Sequence, residues 1–148
     1  GTNNIAISVG YMGNSKIREK LYRIVKKIGF KLPIIMDKSV ILANNVRIGE
    51  GTFIGKGAII NADSEIGKVC IINSGTLIEH ESIIEDYSHI AVGAVLCGNV
   101  HIGKYTFIGA NATVIQGVTI GKGCIIGAGS VILNDVDDNK TVYGVYNG

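Results

Sequence analysis

An aliphatic residue recurs at every sixth position along most of this chain. Four positions after each aliphatic residue comes a small or β-branched one, from Val46 and Thr52 through to Ser130 and Val136. Sixteen such hexads follow one another without an insertion, and their first residues are Leu42, Ile48, Ile54, Ile60, Ile66, Ile72, Ile78, Ile84, Ile90, Leu96, Ile102, Ile108, Val114, Ile120, Ile126 and Ile132. A fixed period of this kind predicts a solenoid.

The period also predicts how each hexad folds. Its first and fifth residues are four apart, so they lie on the same side of a short strand and point inward together. The fourth residue is usually Gly, Asn or Asp, types that tolerate a positive φ, so the third and fourth places form a corner. Three faces of six residues give a parallel β-helix of a little over five coils, spaced about 4.8 Å apart. The period leaves the handedness open.

The remaining segments lie at the two ends. Residues 5–9 predict a buried strand, followed by a turn at Gly10 and Gly13 and a helix that Asn14 or Ser15 caps and Gly29 ends. Its predicted apolar face is Ile17, Leu21, Ile24, Val25 and Ile28, and its predicted solvated face is Lys16, Arg18, Glu19, Lys20, Arg23, Lys26 and Lys27.

One strand and one helix cannot bury a sheet face alone. We therefore interpret residues 1–36 as the C-terminal fragment of a larger N-terminal βα (Rossmann-like) domain, and residues 37–148 as the β-helix. Residues 141–146 predict a single strand that caps its open end.

Composition excludes some function classes. The formal net charge is +2 and no basic run is present, so neither nucleic acid nor membrane is an expected partner. No apolar stretch approaches the ~18 residues of a membrane span, and no signal peptide is visible. Cys70 and Cys124 share a column but lie three coils, about 14 Å, apart, too far for a disulfide. With Cys97 near neither, the sequence predicts three reduced cysteines in a cytoplasmic protein.

The candidate chemistry centres on His80, at the third place of its hexad and therefore on a corner. Gly98 follows in the same column one coil later, which leaves room for a substrate beside the imidazole and an N–H for a developing oxyanion. Asn73 takes the second place of the preceding hexad, and His89 an outward-facing sixth place. Two further corner columns stand out: the small one of Ser74, Val92, Ala110 and Ala128, suited to a ligand or a neighbouring subunit, and the charged one of Glu50, Lys68, Asp86, Lys104 and Lys122, expected to be solvated.

Three segments carry a family resemblance: residues 73–81 (NSGTLIEHE), 87–94 (YSHIAVGA) and 96–100 (LCGNV). With the unbroken hexads, they resemble the hexapeptide-repeat acetyltransferases that act on sialic acids or on UDP-4-amino sugars. The resemblance implies a left-handed β-helix, a homotrimer with acetyl-CoA in the cleft between neighbouring prisms, and an N-terminal βα domain that binds the sugar nucleotide. The column from Ser74 to Ala128 would then face the neighbour's His80.

The resemblance also implies a role for each matching residue. His80 matches the base that takes a proton from the acceptor as it attacks the thioester of acetyl-CoA, and Glu81 matches the acid that orients it. His89 matches a second histidine near the acetyl group, and the Gly98 N–H would hold the thioester oxygen. Asn73 would lie near the acceptor. Ala110 and Ala128 match positions whose backbone lines the pantetheine arm. The ending Gly144-Val145-Tyr146-Asn147 departs from the family's Gly-x-Pro-Ala turn, which affects contacts with the far end of the cofactor.

The function predicted is therefore acetyl transfer from acetyl-CoA to a sugar, without a metal. The preferred acceptor is the amine of a nucleotide-linked amino sugar, and the alternative is a sialic-acid hydroxyl. Two alternatives come from other classes: a non-catalytic solenoid, and a zinc lyase of the carbonic-anhydrase kind that would use His80, His89 and His101. A zinc site needs its ligands about 2.0–2.1 Å from one ion, and these histidines lie on different parts of the predicted prism.

Overall fold

The hexads wind into a left-handed parallel β-helix in the computed structural model of the protein, which describes residues 3–12 and 16–148. Face 1 consists of β1 (Ile35–Met36), β4 (Phe53–Ile54), β7 (Ile71–Ile72), β10 (His89–Ile90), β13 (Phe107–Ile108), β16 (Ile125–Ile126) and β18 (Thr141–Val142). Face 2 consists of β2 (Ile41–Leu42), β5 (Ile59–Ile60), β8 (Leu77–Ile78), β11 (Val95–Leu96), β14 (Thr113–Val114), β17 (Val131–Ile132) and β19 (Val145–Tyr146). Face 3 consists of β3 (Arg47–Ile48), β6 (Glu65–Ile66), β9 (Ile83–Ile84), β12 (His101–Ile102) and β15 (Thr119–Ile120).

The register between coils follows the hexads. Ile90 pairs with Ile72 on one side and with Ile108 on the other, so equivalent residues are eighteen apart. The helix has about six turns, somewhat more than the sequence predicts. The difference arises because β1 precedes the first hexad, while residues 141–146 form two strands, β18 and β19, and not one closing strand. Gly144, with a φ of 73°, separates them.

The predicted interior is confirmed. The first-place aliphatic residues from Ile54 to Ile132 are buried, and so are the fifth-place residues between Thr52 and Val136. Many fifth places hold a hydroxyl, which donates a hydrogen bond to a carbonyl fifteen residues later: Thr52 to Gly67 (2.8 Å), Ser88 to Gly103 (3.0 Å) and Thr106 to Gly121 (2.7 Å). These bonds satisfy both buried groups, which explains why the interior accepts Ser and Thr.

The predicted corners are also confirmed, because every sixth residue from Asn45 to Gly129 has a positive φ. Most are Gly, Asn or Asp. Val69 is the most unfavourable exception, since a β-branched side chain rarely adopts this conformation and the left-handed region costs roughly 1–2 kcal/mol. Its side chain is fully buried, so packing holds the corner in place.

All three cysteines are free thiols, as the column spacing predicts. Cys70 and Cys124 are buried in the interior. Burial raises the pKa of Cys70 to about 12 and also raises the pKa of Cys124. Because the thiolate is the reactive form, neither thiol is suited to nucleophilic chemistry at neutral pH.

The N-terminal region contains the helix α1 (Lys16–Ile28), which ends at Gly29 as predicted. The Gly13 turn residue and the proposed caps, Asn14 and Ser15, lie outside the described residues. The predicted strand over residues 5–9 is wrong: its side chains are mostly exposed, and only an isolated bridge joins Asn4 to Lys31. A strand needs a neighbouring ladder, and no sheet of the described chain runs alongside this segment.

The orientation of α1 also differs from the prediction. Ile17, Ile24 and Ile28, expected to be buried, are 46%, 45% and 65% exposed. Arg18, expected to be solvated, is 1% exposed, and Val25 is buried beside it. The helix therefore rests on the β-helix through a face that contains a cation.

Arg18 is held by carbonyl oxygens. Its guanidinium donates to the Val69 carbonyl through Nε (3.3 Å) and Nη2 (2.7 Å), and through Nη1 to the Val9 carbonyl. Burial lowers the pKa of Arg18. The side chain thus joins α1, the N-terminal segment and the strained Val69 corner.

The charged column of Glu50 to Lys122 is not simply solvated, because α1 lies over it. Tyr22 donates a hydrogen bond to Glu50 (2.7 Å), and Lys26 forms an ion pair with the same carboxylate (3.0 Å). Farther along the column, the Lys104 ammonium lies 5.1 Å from the centre of the Tyr105 ring, within cation–π range. The column therefore forms part of the surface against which α1 packs.

We expect Arg18→Met to release α1 without unfolding the β-helix. The carbonyls of Val69 and Val9 would lose their donor, and an orphaned buried acceptor costs about 1–3 kcal/mol. Hydrogen exchange should accelerate roughly tenfold or more in α1 and stay slow in β7 to β16. Arg23→Met, at an exposed arginine of the same helix, is the control. Equal protection of α1 in both variants would contradict the role of Arg18.

Candidate functional site

The candidate residues are distributed over the edges of the prism. We call the edge between faces 1 and 2 the first corner (residues 73–76 in one coil), that between faces 2 and 3 the second corner (79–82), and that between faces 3 and 1 the third corner (85–88). His80, Glu81 and Gly98 meet at the second corner. Asn73, Ala110 and Ala128 lie at the first, and His89 lies on face 1.

His80 and Glu81 form a hydrogen-bonded pair at the second corner. The imidazole Nδ1 lies 3.0 Å from Glu81 Oε2, and both side chains are more than half exposed. An ionised carboxylate only accepts hydrogen bonds, so Nδ1 carries the proton and Nε2 keeps its lone pair. A histidine in this tautomer can accept a proton from a substrate through Nε2.

Glu81 has an unfavourable backbone conformation. Its φ is 58°, at a corner place that Gly, Asn or Asp usually fills. The backbone is fixed there by the Glu81 N–H, which donates to the Ala62 carbonyl at 2.9 Å. Val69, Tyr87 and Tyr105 have the same positive φ at the equivalent place of other hexads, so the repeat imposes the conformation.

Gly98 lies directly against the imidazole. A Cβ at this position would be 2.7 Å from Nε2 and 2.8 Å from Cε1 of His80. The space that the sequence assigned to a substrate is therefore taken by the ring itself, and that expectation is corrected. The glycine leaves room for the ring, and its N–H donates to no acceptor among the described residues.

The first corner presents unpaired backbone donors beside small side chains. Within the described chain, no acceptor takes the N–H of Val92, Ala110 or Ala128. The third corner differs, because carboxylates accept the equivalent N–H groups there. The Lys68 N–H donates to Asp86 (2.9 Å), the Lys104 N–H to Glu85 (3.1 Å) and the Lys122 N–H to Asp138 (2.7 Å). The first corner can thus bind the carbonyl groups of an extended ligand.

Asn73 lies at the foot of the first corner. Its Oδ1 accepts the Ser74 N–H at 2.8 Å, which orients the amide and leaves its NH₂ group for another partner. A whole strand, β8, separates Asn73 from His80 along the chain, so one chain does not bring these two side chains together.

His89 lies half-buried on face 1 beneath the N-terminal segment. Its Nδ1 is 3.0 Å from the Tyr11 carbonyl, and its ring packs edge-on against Phe107. A carbonyl only accepts, so Nδ1 carries the proton, while Nε2 is buried with no partner in the described chain. Burial lowers the pKa of His89, which keeps the ring neutral. The repeat pattern does not predict this cover, since Tyr11 is seventy-eight residues away and lies outside the hexads.

A second histidine–carboxylate pair was not predicted. His101 Nε2 lies 2.9 Å from Glu85 Oε1 on face 3. The other Glu85 oxygen accepts the Lys104 N–H, so this carboxylate ties a corner together. The sixteen-residue separation of the pair is close to one coil, and the repeat could have revealed it.

The three histidines point from different parts of the prism. Within residues 3–12 and 16–148, no three His, Cys, Asp or Glu side chains are grouped so that they could hold a metal ion. Nor does this described part contain a helix with the length and apolarity needed to cross a bilayer.

Comparison with known proteins identifies the repeat. The sequence pattern of the bacterial transferase hexapeptide family (six repeats) matches residues 45–80, 81–116 and 99–134. The chain belongs to this family. No match was found among curated proteins.

Several solved hexapeptide transferases are similar to this one. A GDP-perosamine N-acetyltransferase from Caulobacter crescentus, solved with CoA and GDP-perosamine, is 35% identical with a TM-score of 0.91, over 95% of this chain and 66% of that one. The acetyltransferase domain of PglB from Neisseria gonorrhoeae FA1090 is 33% identical with a TM-score of 0.90, over 95% and 67%. WeeI from Acinetobacter baumannii AYE is 30% identical with a TM-score of 0.88, over 95% and 68%. The chain thus spans about two thirds of their length.

We expect the stability of the protein to fall more steeply below pH 6.5 than that of His89→Asn. The folded state holds His89 neutral with a lowered pKa, so the unfolded chain binds the proton first and the free energy of unfolding decreases as pH falls from 6.5 to the folded pKa. Asn retains a donor for the Tyr11 carbonyl but does not titrate. The measurement is chemical denaturation between pH 5 and pH 8, with His101→Asn as control. Parallel curves for wild type and His89→Asn would contradict the buried neutral ring.

Proposed function

We propose that this hexapeptide transferase moves an acetyl group from acetyl-CoA to the amine of a nucleotide-linked amino sugar, with His80 as general base. The observation that carries the proposal is the His80–Glu81 pair, with Nε2 available beside Gly98. The similarity to an enzyme solved with CoA and GDP-perosamine supports the two substrate classes. That acceptor carries an amine, which favours N-acetylation over the sialic-acid hydroxyl.

The reaction follows from the tautomer. The acceptor nitrogen attacks the thioester carbonyl carbon while Nε2 of His80 takes a proton from that nitrogen. Glu81 stabilises the imidazolium, and the tetrahedral intermediate then expels the CoA thiolate. The His80 imidazolium returns its proton to that thiolate, which gives the thiol and restores the neutral base. The Gly98 N–H is the proposed donor to the thioester oxygen, since it has no acceptor in the described chain. No covalent acyl-enzyme is required, consistent with the burial of the Cys70 and Cys124 thiols.

The cofactor is proposed to lie along the first corner. The N–H groups of Ala110 and Ala128 are unpaired and their side chains are small, so a pantetheine arm can approach the backbone closely. Asn73 at the foot of the corner is proposed to contact the acceptor. The resemblance also implied a contact between His89 and the acetyl group, but Nδ1 of His89 is bonded to the Tyr11 carbonyl and its Nε2 is buried, so we propose no cofactor contact for this ring.

A homotrimer is proposed because it would complete this site. The outward residues of face 2 are largely apolar: Ile41, Ile59, Leu77, Val95, Thr113, Val131 and Val145. Ile41 and Val145 are 59% and 71% exposed. Face 2 lies between the first and second corners, so packing this face around a threefold axis would set the first corner of one chain against His80 of its neighbour.

Residues 1–36 are proposed to belong to a βα domain that binds the sugar nucleotide. The exposed stripe of Ile17, Ile24 and Ile28 supports this assignment, because an apolar helix face is normally covered. A cytoplasmic location is proposed from the three free cysteines.

We expect His80→Ala to lower kcat by about 10²–10⁴-fold while acetyl-CoA binding persists, because the variant removes a proton acceptor and leaves the first corner intact. The assay is thiol release with a GDP- or UDP-linked amino sugar, alongside calorimetric titration with acetyl-CoA. His101→Ala, at a partly exposed histidine on face 3, is the control. If His80→Ala retained most of its turnover, the proposed base would be wrong.

We expect Val95→Glu to convert the trimer to monomers, since a buried unpaired carboxylate costs several kcal/mol. Ile83→Glu places the same charge on face 3, where the side chain is 42% exposed, and should leave the assembly unchanged. Light scattering reports the mass of both. A trimeric Val95→Glu protein would exclude face 2 as the interface.

A further inference from the structure

The first corner ends in an exposed aromatic side chain. Coil by coil, its second place holds Asn73, Ala91, Gly109 and Gly127. β18 pairs with β16 through Ile126 and Val142, so the next residue in this column is Tyr143. Tyr143 is 74% exposed, whereas Ala91 is 8% exposed and Gly109 and Gly127 are buried.

The backbone around Tyr143 is fixed on both sides. The Val142 carbonyl accepts the Gly127 N–H at 2.8 Å, and the Gly144 carbonyl accepts the Val131 N–H at 2.9 Å. The phenol ring lies over Gly127, where a Cβ would collide with it. The position of the ring therefore depends on the absence of a side chain one coil below.

The spacing relates Tyr143 to the proposed cofactor. It lies three coils beyond Ala91, about 14 Å along the axis. Pantetheine has the backbone length of about four extended residues, roughly 14 Å. An arm that begins near the level of Ala91 and follows the unpaired N–H groups of Ala110 and Ala128 would end at the level of Tyr143. The flexible diphosphate and ribose that follow the arm can then bring the purine against the Tyr143 ring.

We infer that Tyr143 binds the nucleotide end of CoA by stacking against its purine base. This inference rests on the proposed function and adds a residue that the sequence did not single out. An exposed aromatic ring is a sequence-tolerant platform for a base.

The test compares two acetyl donors that differ only in the nucleotide, acetyl-CoA and acetyl-pantetheine. Tyr143→Ala should lower kcat/KM for acetyl-CoA about 5- to 150-fold, the range expected from base stacking. It should change kcat/KM for acetyl-pantetheine less than about twofold. Tyr143→Phe keeps the ring and should retain the wild-type preference for acetyl-CoA within about threefold. Calorimetric titration with CoA should give similar affinities for wild type and Tyr143→Phe, and a weaker affinity for Tyr143→Ala.

The outcomes separate this inference from the proposed function. If wild type neither binds CoA nor turns over acetyl-CoA, the proposed function fails and this inference with it. Suppose that wild type is active but Tyr143→Ala keeps its kcat/KM for acetyl-CoA, or that its kcat/KM falls by the same factor for both donors. The proposed function then stands, and the stacking role of Tyr143 is wrong. Since Tyr143 is exposed, the thermal transition of the variant should match wild type.

Discussion

The backbone pairing between coils is the constraint on which the other features depend. Each coil offers its N–H and C=O groups to the coils eighteen residues away, and the pairing holds only if every corner turns by the same amount. The turn requires a positive φ at one place in six, and the interior requires a small residue directly after it. The buried hydroxyls extend this pairing inward, because they bond to carbonyls of the next coil. A single repeated geometry thus fixes the height and direction of every outward side chain.

This regularity explains how much could be predicted from the sequence. The faces, corners, interior columns and free cysteines all follow from the period, and so does the placement of Gly98 beside His80. The ends do not follow from it, because they lie outside the repeat. Helical spacing indicated that Ile17, Ile24 and Ile28 face the protein, yet the helix rests on Arg18. The reason is that the β-helix offers carbonyls and a ladder of Lys and Tyr at that corner, and a guanidinium satisfies carbonyls as an aliphatic side chain cannot.

The site could be predicted only in part for a similar reason. The period places His80, Glu81 and Gly98 together, but it says nothing of rotamers, so it assigned to a substrate the space that the imidazole fills. The cover over His89 depends on a contact between residues seventy-eight apart, in a segment without repeat character. A single chain of this fold places its candidate residues on separate corners of the prism. Residues on two of them can share a ligand only where another chain lies alongside, which is why the proposed assembly and the proposed chemistry are linked.

The uninterrupted register has a consequence for how such a molecule changes in length. A single inserted residue would shift every later side chain to a different place in its hexad, and an inserted hexad would move each later face round by one third of a turn. Only a whole coil leaves all columns aligned. Each added coil would also lengthen the path between His80 and Tyr143 by about 4.8 Å. The number of coils therefore sets the distance between these two residues, and that distance can change only in steps of one coil.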